Sequence, residues 1–250
     1  MNRMTMLLRN FWLVSVLLAS LLSGCAVNQP SSPPLTRQQV FPGIYGEKPV
    51  TVLVLPAINH STAADAGILY SASIAQPLTE HGYYVLPVPV TNTMLHQAGI
   101  SDGAQLLQVP PQRFADMFGA DAALYVTIES WDTNYYVVGG NVTVGLTFRL
   151  VSTHTAKTLW AYHRQITVDT TGRNNNSSGN PLADLIGGMI ATAITTAQQD
   201  YFPIAQQVNY QSIAVLPYGK LHPQYNLDAS QAANAGDNQK LAEPQQQSSN

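Results

Sequence analysis

Apolar positions recur along this chain with two different periods. Val50–Pro56 (Val-Thr-Val-Leu-Val-Leu-Pro) is a short, nearly continuous apolar run rich in β-branched residues, the pattern of a central strand covered on both faces. From Ala64 to His81, residues Ile68, Leu69, Ala72, Ala75, Leu78 and Thr79 fall at three- and four-residue spacing, and Gly82 follows. That spacing predicts a helix with this stripe turned inward, a glycine C-cap, and a kink or division at Pro77. Tyr83–Val88 reads as a second strand, so the segment is a βαβ unit. Val90 to Gly119, punctuated by Gly99, Gly103 and Pro110-Pro111, reads as two or three short helices with Leu95, Leu106, Leu107, Phe114 and Phe118 facing inward.

At Ala122 the period changes to two. Leu124, Val126 and Ile128 alternate with Tyr125, Thr127 and Glu129; after a break at Gly139-Gly140, Val142, Val144, Leu146, Phe148 and Leu150 alternate with polar residues or glycine. One face is therefore apolar and the other polar. With a turn at Ser152 to Lys157 and a further strand from Leu159 to Val168, the region reads as an antiparallel meander. Thr171–Gly179 is a loop, Pro181 opens a helix through Asp200, and Ser212–Pro217 adds a last short strand. The fold class is α/β: a two-layer or three-layer sandwich on a mixed sheet that begins with βαβ and ends in a meander.

The amino terminus follows neither period. Arg3 and Arg9 precede an apolar stretch from Phe11 to Leu22, which as a helix spans about 18 Å, short of the roughly 30 Å hydrocarbon core. It reads as an export signal and not a permanent membrane span. Leu22-Ser23-Gly24-Cys25 then resembles the bacterial lipobox, with cleavage between Gly24 and Cys25 and lipid attachment on Cys25. Cys25 is the only cysteine among 250 residues, so an exported domain without internal disulfides has a use for it. Acylation of the kind such processing leaves, palmitate included, suffices for stable anchoring. Ala26 after the cysteine favours the outer membrane by the sorting rule of enteric bacteria. The organisation expected is 1–24 signal peptide, 25–47 lipidated tether rich in proline, glutamine and serine, 48–225 α/β domain, and 226–250 disordered tail.

Composition narrows the function. Charged residues are 10% of the chain and hydrophobic residues 45%, against about 25% charged in ordinary domains, which excludes a coiled coil or a highly charged disordered chain. The net charge of −3 offers no basic excess for phosphates, so no nucleic acid is expected as partner. The six histidines His60, His81, His96, His154, His163 and His222 show no metal-ligand spacing, and nucleophile-elbow and nucleotide-loop motifs are absent. No catalytic residue, metal or cofactor is expected. Asp116 with Asp121, and Glu129 with Asp132, are the pairs that acid–base hydrolysis of wall material would use; positions at helix and loop ends and at the end of an exposed strand account for them without that chemistry. Gly187-Gly188 and the small residues after them suit helix packing on the sheet. Tyr125, Trp131, Tyr135, Tyr136, Trp160 and Tyr162 cluster in the meander, as a partner or ligand surface, as core, or as part of a 134–169 hairpin inserting in the membrane.

Three segments carry a family resemblance: Val52-Leu53-Val54-Leu55-Pro56; Leu150-Val151-Ser152 through Thr155-Ala156-Lys157-Thr158-Leu159-Trp160; and Leu216-Pro217-Tyr218-Gly219 to Pro223-Gln224-Tyr225. They resemble a family of bacterial lipoproteins, of the neisserial surface-antigen type, encoded beside curli-secretion-channel-like lipoproteins. Ser152 and Ala156 depart from the aspartate and glycine common in that hairpin. The resemblance implies a fold like the periplasmic domain of the curli channel and the amino-terminal domain of the Tol-Pal propeller protein. It also implies a non-enzymatic accessory or assembly role in a secretion-like or transport-like envelope complex. The partners so implied are other envelope lipoproteins, including a curli-channel-like one, and a homo-oligomer is compatible with it. The alternative is a peptide- or glycan-binding lipoprotein, with the domain in the periplasm or at the surface.

Overall fold

The computed structural model describes residues 34–136, 139–169 and 201–233. The chain divides into a unit Met1–Pro34 and a unit Leu35–Asn250, and every described helix and strand belongs to the second. The lipobox, the Thr171–Gly179 loop, the Pro181–Asp200 helix and its Gly187-Gly188 segment lie outside the described residues. No described helix is long and apolar enough to cross a membrane.

Six strands form one mixed sheet: β1 (Thr51–Val54), β2 (Ile58–Asn59), β3 (Tyr84–Val85), β4 (Ala122–Tyr136), β5 (Gly139–Ser152) and β6 (Thr158–Asp169). Their order is β3-β1-β4-β5-β6, with β2 also on β4. β3, β1 and β4 are parallel, while β4, β5 and β6 form the expected antiparallel meander. β1 and β2 pair with successive stretches of β4, Val54 opposite Leu124 and Ile58 opposite Thr127. Between them Pro56, which has no N–H to give the ladder, turns the chain out of the sheet.

The first two elements, α1 (Arg37–Val40) and α2 (Pro42–Glu47), correct the expected tether. Thr36 and Gln39 cap α1 reciprocally, and Phe41, Ile44 and Tyr45 are buried. Proline and glycine here open and permit a helix: Gly43 lies where a Cβ would come 3.2 Å from Leu159 Cδ2. The expected 64–81 helix is two, α3 (Ala66–Ser73) and α4 (Ala75–Glu80), divided where the Pro77 ring would crowd the Ser73 carbonyl. Its inward stripe is Ala66, Tyr70, Ile74 and Leu78, and Ile68, assigned inward from the sequence, is 72% exposed. α5 (Val88–Gln97), a 3-10 helix (Gly103–Gln108) and α6 (Gln112–Phe118) fill the next connection; Leu107, also assigned inward, is exposed.

The predicted strand at Ser212–Pro217 is instead the end of α7 (Phe202–Ile213) and a turn. Ile204, Ala205, Val208, Asn209, Ser212 and Ile213 are buried at helical spacing. Buried Asn209 joins α7 to α3, donating from Nδ2 to Ser73 Oγ at 2.8 Å and to the Tyr70 carbonyl at 3.3 Å.

The sheet has unequal covers. Val52, Val54, Leu124, Val126, Phe148 and Leu150 face the larger core with α3, α4 and α7, and Leu53, Leu55, Ala123, Tyr125 and Val151 face a smaller one with Leu95, Leu106 and Phe114. The carboxyl-terminal segment is ordered beyond residue 225. Thr36 bridges to Ala232, Arg37 N–H donates to the Gln231 carbonyl and Ala233 N–H to the Leu35 carbonyl. Residues 226–233 are thus part of the domain and not of a disordered tail.

Candidate functional site

In an open α/β sheet, ligands sit outside the carboxyl ends of the strands where the winding reverses. Here β1 is followed by α3 and α4 on one face, and β3 by α5 and α6 on the other, so the reversal lies at the end of β1. A groove of about 580 Å³ opens there, lined by Pro56, Ala57 and Asn59 after β1, by Gly67, Ile68, Ser71 and Ala72 of α3, and by Val88, Asn92 and His96 of α5, with Ser101–Gly103 at one end.

Local hydrogen bonds fix its walls. Asn59 donates to the Ala63 carbonyl at 2.7 Å and accepts from Ser61 N–H at 3.0 Å and Ser61 Oγ at 2.7 Å, which steers the chain into α3. Asp102 accepts from Ala104 N–H at 2.7 Å and Gln105 Oε1 accepts from Asp102 N–H at 3.0 Å, capping the 3-10 helix. A Cβ on Gly103 would stand 2.2 Å from the Pro56 carbonyl oxygen, so glycine lets the floor close.

Asn92 Oδ1 is buried and accepts no hydrogen bond from the described residues, so a donor that reached it would satisfy it. Among the described residues the ionisable lining ones are His96 and Asp102, and Asp102 Oδ1 caps the 3-10 helix. No lysine or arginine among the described residues lines the groove to hold a phosphate or carboxylate. Small apolar walls, serine hydroxyls and one unspent amide acceptor suit an apolar side chain with a neighbouring N–H. Sequence reading missed these residues because they form no motif. The one signal available was position, at the end of the first strand of a βαβ unit.

The aromatic residues singled out from the sequence lie elsewhere. Trp131, Trp160 and Tyr162 are buried in the larger core, and Tyr125 in the smaller; this corrects the reading of an exposed aromatic surface. Trp160 stacks on Tyr162 with centroids 5.8 Å apart, Trp131 meets Tyr201 edge-on at 6.5 Å, and Tyr125 packs against Phe114 under the Arg149 guanidinium. A register shift between Ile128 and Ser130 explains Trp131. One extra residue in β4 reverses which face later side chains take. Tyr135 and Tyr136 lie at the far end of β4, paired with Gly140 and Gly139. The apolar side of the hairpin that membrane insertion would need, Val142, Val144, Ile166 and Val168, is buried in the same core.

The carboxylates do structural work. Asp121 Oδ2 accepts from Val50 and Thr51 N–H at 2.9 and 2.8 Å, and His154 Nε2 lies 3.5 Å from Oδ1. Burial opposes ionisation of Asp121, but the Thr51 and Val50 N–H groups and His154 outweigh it and hold the carboxyl below its ordinary range. Glu129 accepts from Thr147 Oγ1 at 3.1 Å, and Thr147 lies 2.9 Å from His163 Nδ1, a cross-strand row exposed to solvent. No group of three or more His, Cys, Asp or Glu among the described residues could hold a metal ion.

The fold is a mixed α/β domain, and its sequence matches a known family of lipoproteins. The family model "Putative lipoprotein GNA1162-like" matches residues 43–221, and the chain belongs to that family. A lipoprotein of Neisseria meningitidis serogroup B, NMB1124/NMB1162, is 33% identical over 147 residues; the match covers 59% of this chain and 65% of that relative. The crystal structure of lipoprotein GNA1162 from Neisseria meningitidis is also 33% identical, covering 58% of this chain and 95% of that one, with a TM-score of 0.46. A PelC dodecamer from Paraburkholderia phytofirmans matches at 18% identity over 66% of this chain and 92% of that one, with a TM-score of 0.35.

Proposed function

We propose that this chain is an outer-membrane lipoprotein, lipidated on Cys25, that acts as a non-enzymatic accessory or assembly subunit of an envelope complex by gripping a segment of a partner polypeptide in the groove between α3 and α5. The groove carries this reading. Its lining is mostly small and apolar, Ile68 stands exposed on its wall, and Asn92 Oδ1 awaits a donor, which is what an extended peptide with one apolar side chain satisfies. Membership of a lipoprotein family supports the anchor.

The test is photo-crosslinking in whole cells from a reactive residue placed at Ile68 or Asn92, with Thr167 on the far strand as control. A discrete envelope protein captured from the groove positions alone is expected. Equal capture from Thr167, or none from either groove position, overturns the reading. The same cells carrying Cys25→Ser should lose the protein from the outer-membrane fraction.

The groove volume also lies in the usual range for small-ligand sites, roughly 300–1,000 Å³, which favours a second reading: a lipoprotein that binds a free peptide or glycan. Saturable binding of one such ligand by purified protein, lost in Asn92→Leu without loss of folding, would distinguish it.

A further inference from the structure

Three exposed leucines stand on the two segments that join the ends of the domain. Leu35 is 51% exposed, Leu221 61% and Leu227 68%. Leu35 accepts from Ala233 N–H, and Gln38 N–H donates to the Ala229 carbonyl, two residues after Leu227. Asn226, at φ 64°, turns the chain just before Leu227. Leu221 donates its N–H to the Gly82 carbonyl, where the strap formed by residues 216–233 lies directly on the turn after α4. A Cβ on Gly219 would stand 2.3 Å from that carbonyl oxygen.

A buried ion pair holds this strap to the root of the amino-terminal segment. Arg37 Nη1 lies 3.3 Å from Asp228 Oδ2, and both side chains are almost wholly buried. Arg37 also donates to the Val215 carbonyl, and Asp228 accepts from Tyr218 N–H at 3.0 Å. Asp228 is the only acidic residue of the strap. With its charge internal, Lys220 is the strap's exposed charge.

Chain length says what this surface meets. Ten residue steps separate Cys25 from Leu35, at most about 36 Å even if fully extended. A domain of roughly 200 residues is itself about 40 Å across. A chain anchored at Cys25 therefore keeps the Leu35 root on the membrane side, and the strap with it. We infer that the Leu35, Leu221 and Leu227 face, with Lys220, docks on the phospholipid surface that holds the anchor, fixing the domain's orientation above it. This rests on lipidation of Cys25. Leucine side chains entering the interface and a lysine near anionic headgroups are the contacts such a surface rewards.

The test reconstitutes the full lipidated protein into vesicles of phosphatidylethanolamine with a minor fraction of phosphatidylglycerol. Single cysteines at Leu221→Cys, Leu227→Cys or, as control, Leu107→Cys carry an environment-sensitive dye; Cys25, being acylated, does not react. The expected result is a blue shift and several-fold stronger quenching by lipid-borne than by aqueous quenchers at 221 and 227, and the reverse at 107. The added substitution Leu35→Ser should weaken the lipid quenching at 227 while leaving the melting temperature unchanged. Vesicle-bound protein whose 221 and 227 dyes respond to aqueous quencher alone overturns the docking and leaves the anchor intact. Dyes shielded from both quenchers point to a second copy or a partner protein and also overturn it. Protein that does not sediment with vesicles and labels at Cys25 overturns the anchor itself.

Discussion

The parallel and antiparallel halves of the sheet are built from the same chain under different rules of burial. In β1 and the residue after it, Val52, Leu53, Val54 and Leu55 are all buried, successive residues feeding opposite cores, because crossover helices lie on both faces. Along β5 from Val142 to Leu150, alternate residues reach the larger core: Val142, Val144, Leu146, Phe148 and Leu150 are buried, while Thr143, Thr147 and Arg149 lie on the other side and keep contact with solvent. The doubly covered half places the groove, since among the described residues two helical layers flank a strand end there. The meander supplies most of the strand residues of the larger core, and its other face carries the Glu129, Thr147 and His163 row.

This contrast can be broken most severely at Phe148, which touches Trp160 in the larger core; Phe148→Ala should cost about 3–5 kcal/mol in denaturant unfolding. Leu53→Ala, on the smaller core, should cost roughly 3 kcal/mol, showing that both faces of β1 are core. A smaller cost than that of an exposed-face substitution would refute the double cover.

Acid should act next, at the strap. His81 packs against Tyr218 and near His222. Burial, then the positive charges of His222 and Arg37, push its pKa down to about 4, against the pull of Asp228 and a hydrogen bond to the Ala214 carbonyl. The folded state therefore keeps His81 neutral while the unfolded chain protonates near pH 6.5. Its contribution is complete above about pH 6.5 and is lost as pH falls through about 4, roughly 3 kcal/mol in all. Stability measured across that window should fall less in His81→Phe. An equal fall in both would show that other groups, Asp121 among them at the lower end, govern the acid response.

Two smaller effects sharpen the picture of the meander. Ala156 sits at φ 59° in the β5–β6 turn, a left-handed conformation that costs an alanine about 1 kcal/mol; Ala156→Gly should raise stability by up to that amount and raise the melting temperature. Thr147→Ala on the open face should change stability by no more than about 0.5 kcal/mol. A larger loss would mean that the exposed row is more than a surface feature.

Much of the fold was legible because burial writes itself into period. The continuous run at Val50–Pro56 and the alternation from Ala122 to Val168 became β1 and the meander, and the two-sided and one-sided cover that these patterns imply is what the sheet has. The family resemblance was legible in the same patterned regions, since Val52–Val54 lie in β1 and Leu150–Trp160 make the turn from β5 to β6 with its flanking strand ends. Misreadings arose where one residue or one partner reverses the inference. The register shift at Glu129 moved Trp131 into the core, and packing chose Ala66, Tyr70, Ile74 and Leu78 as the inward stripe over the equally periodic set that includes Ile68. Residues 36–47 and 226–233 looked like tether and tail because each is poor in apolar residues by itself. Together they satisfy one another through Arg37, Asp228 and backbone hydrogen bonds.

By itself the sequence determined the lipobox-like amino terminus, the mixed α/β class and the succession of strands along the chain, because these depend on local pattern and on the few ways such patterns can be buried. Only the tertiary structure decided where the groove opens, that Trp160 and Tyr162 belong to the core, and that the ends of the domain are clasped. Those outcomes depend on contacts between residues as far apart as Arg37 and Asp228, and no local period records which distant group will supply the partner.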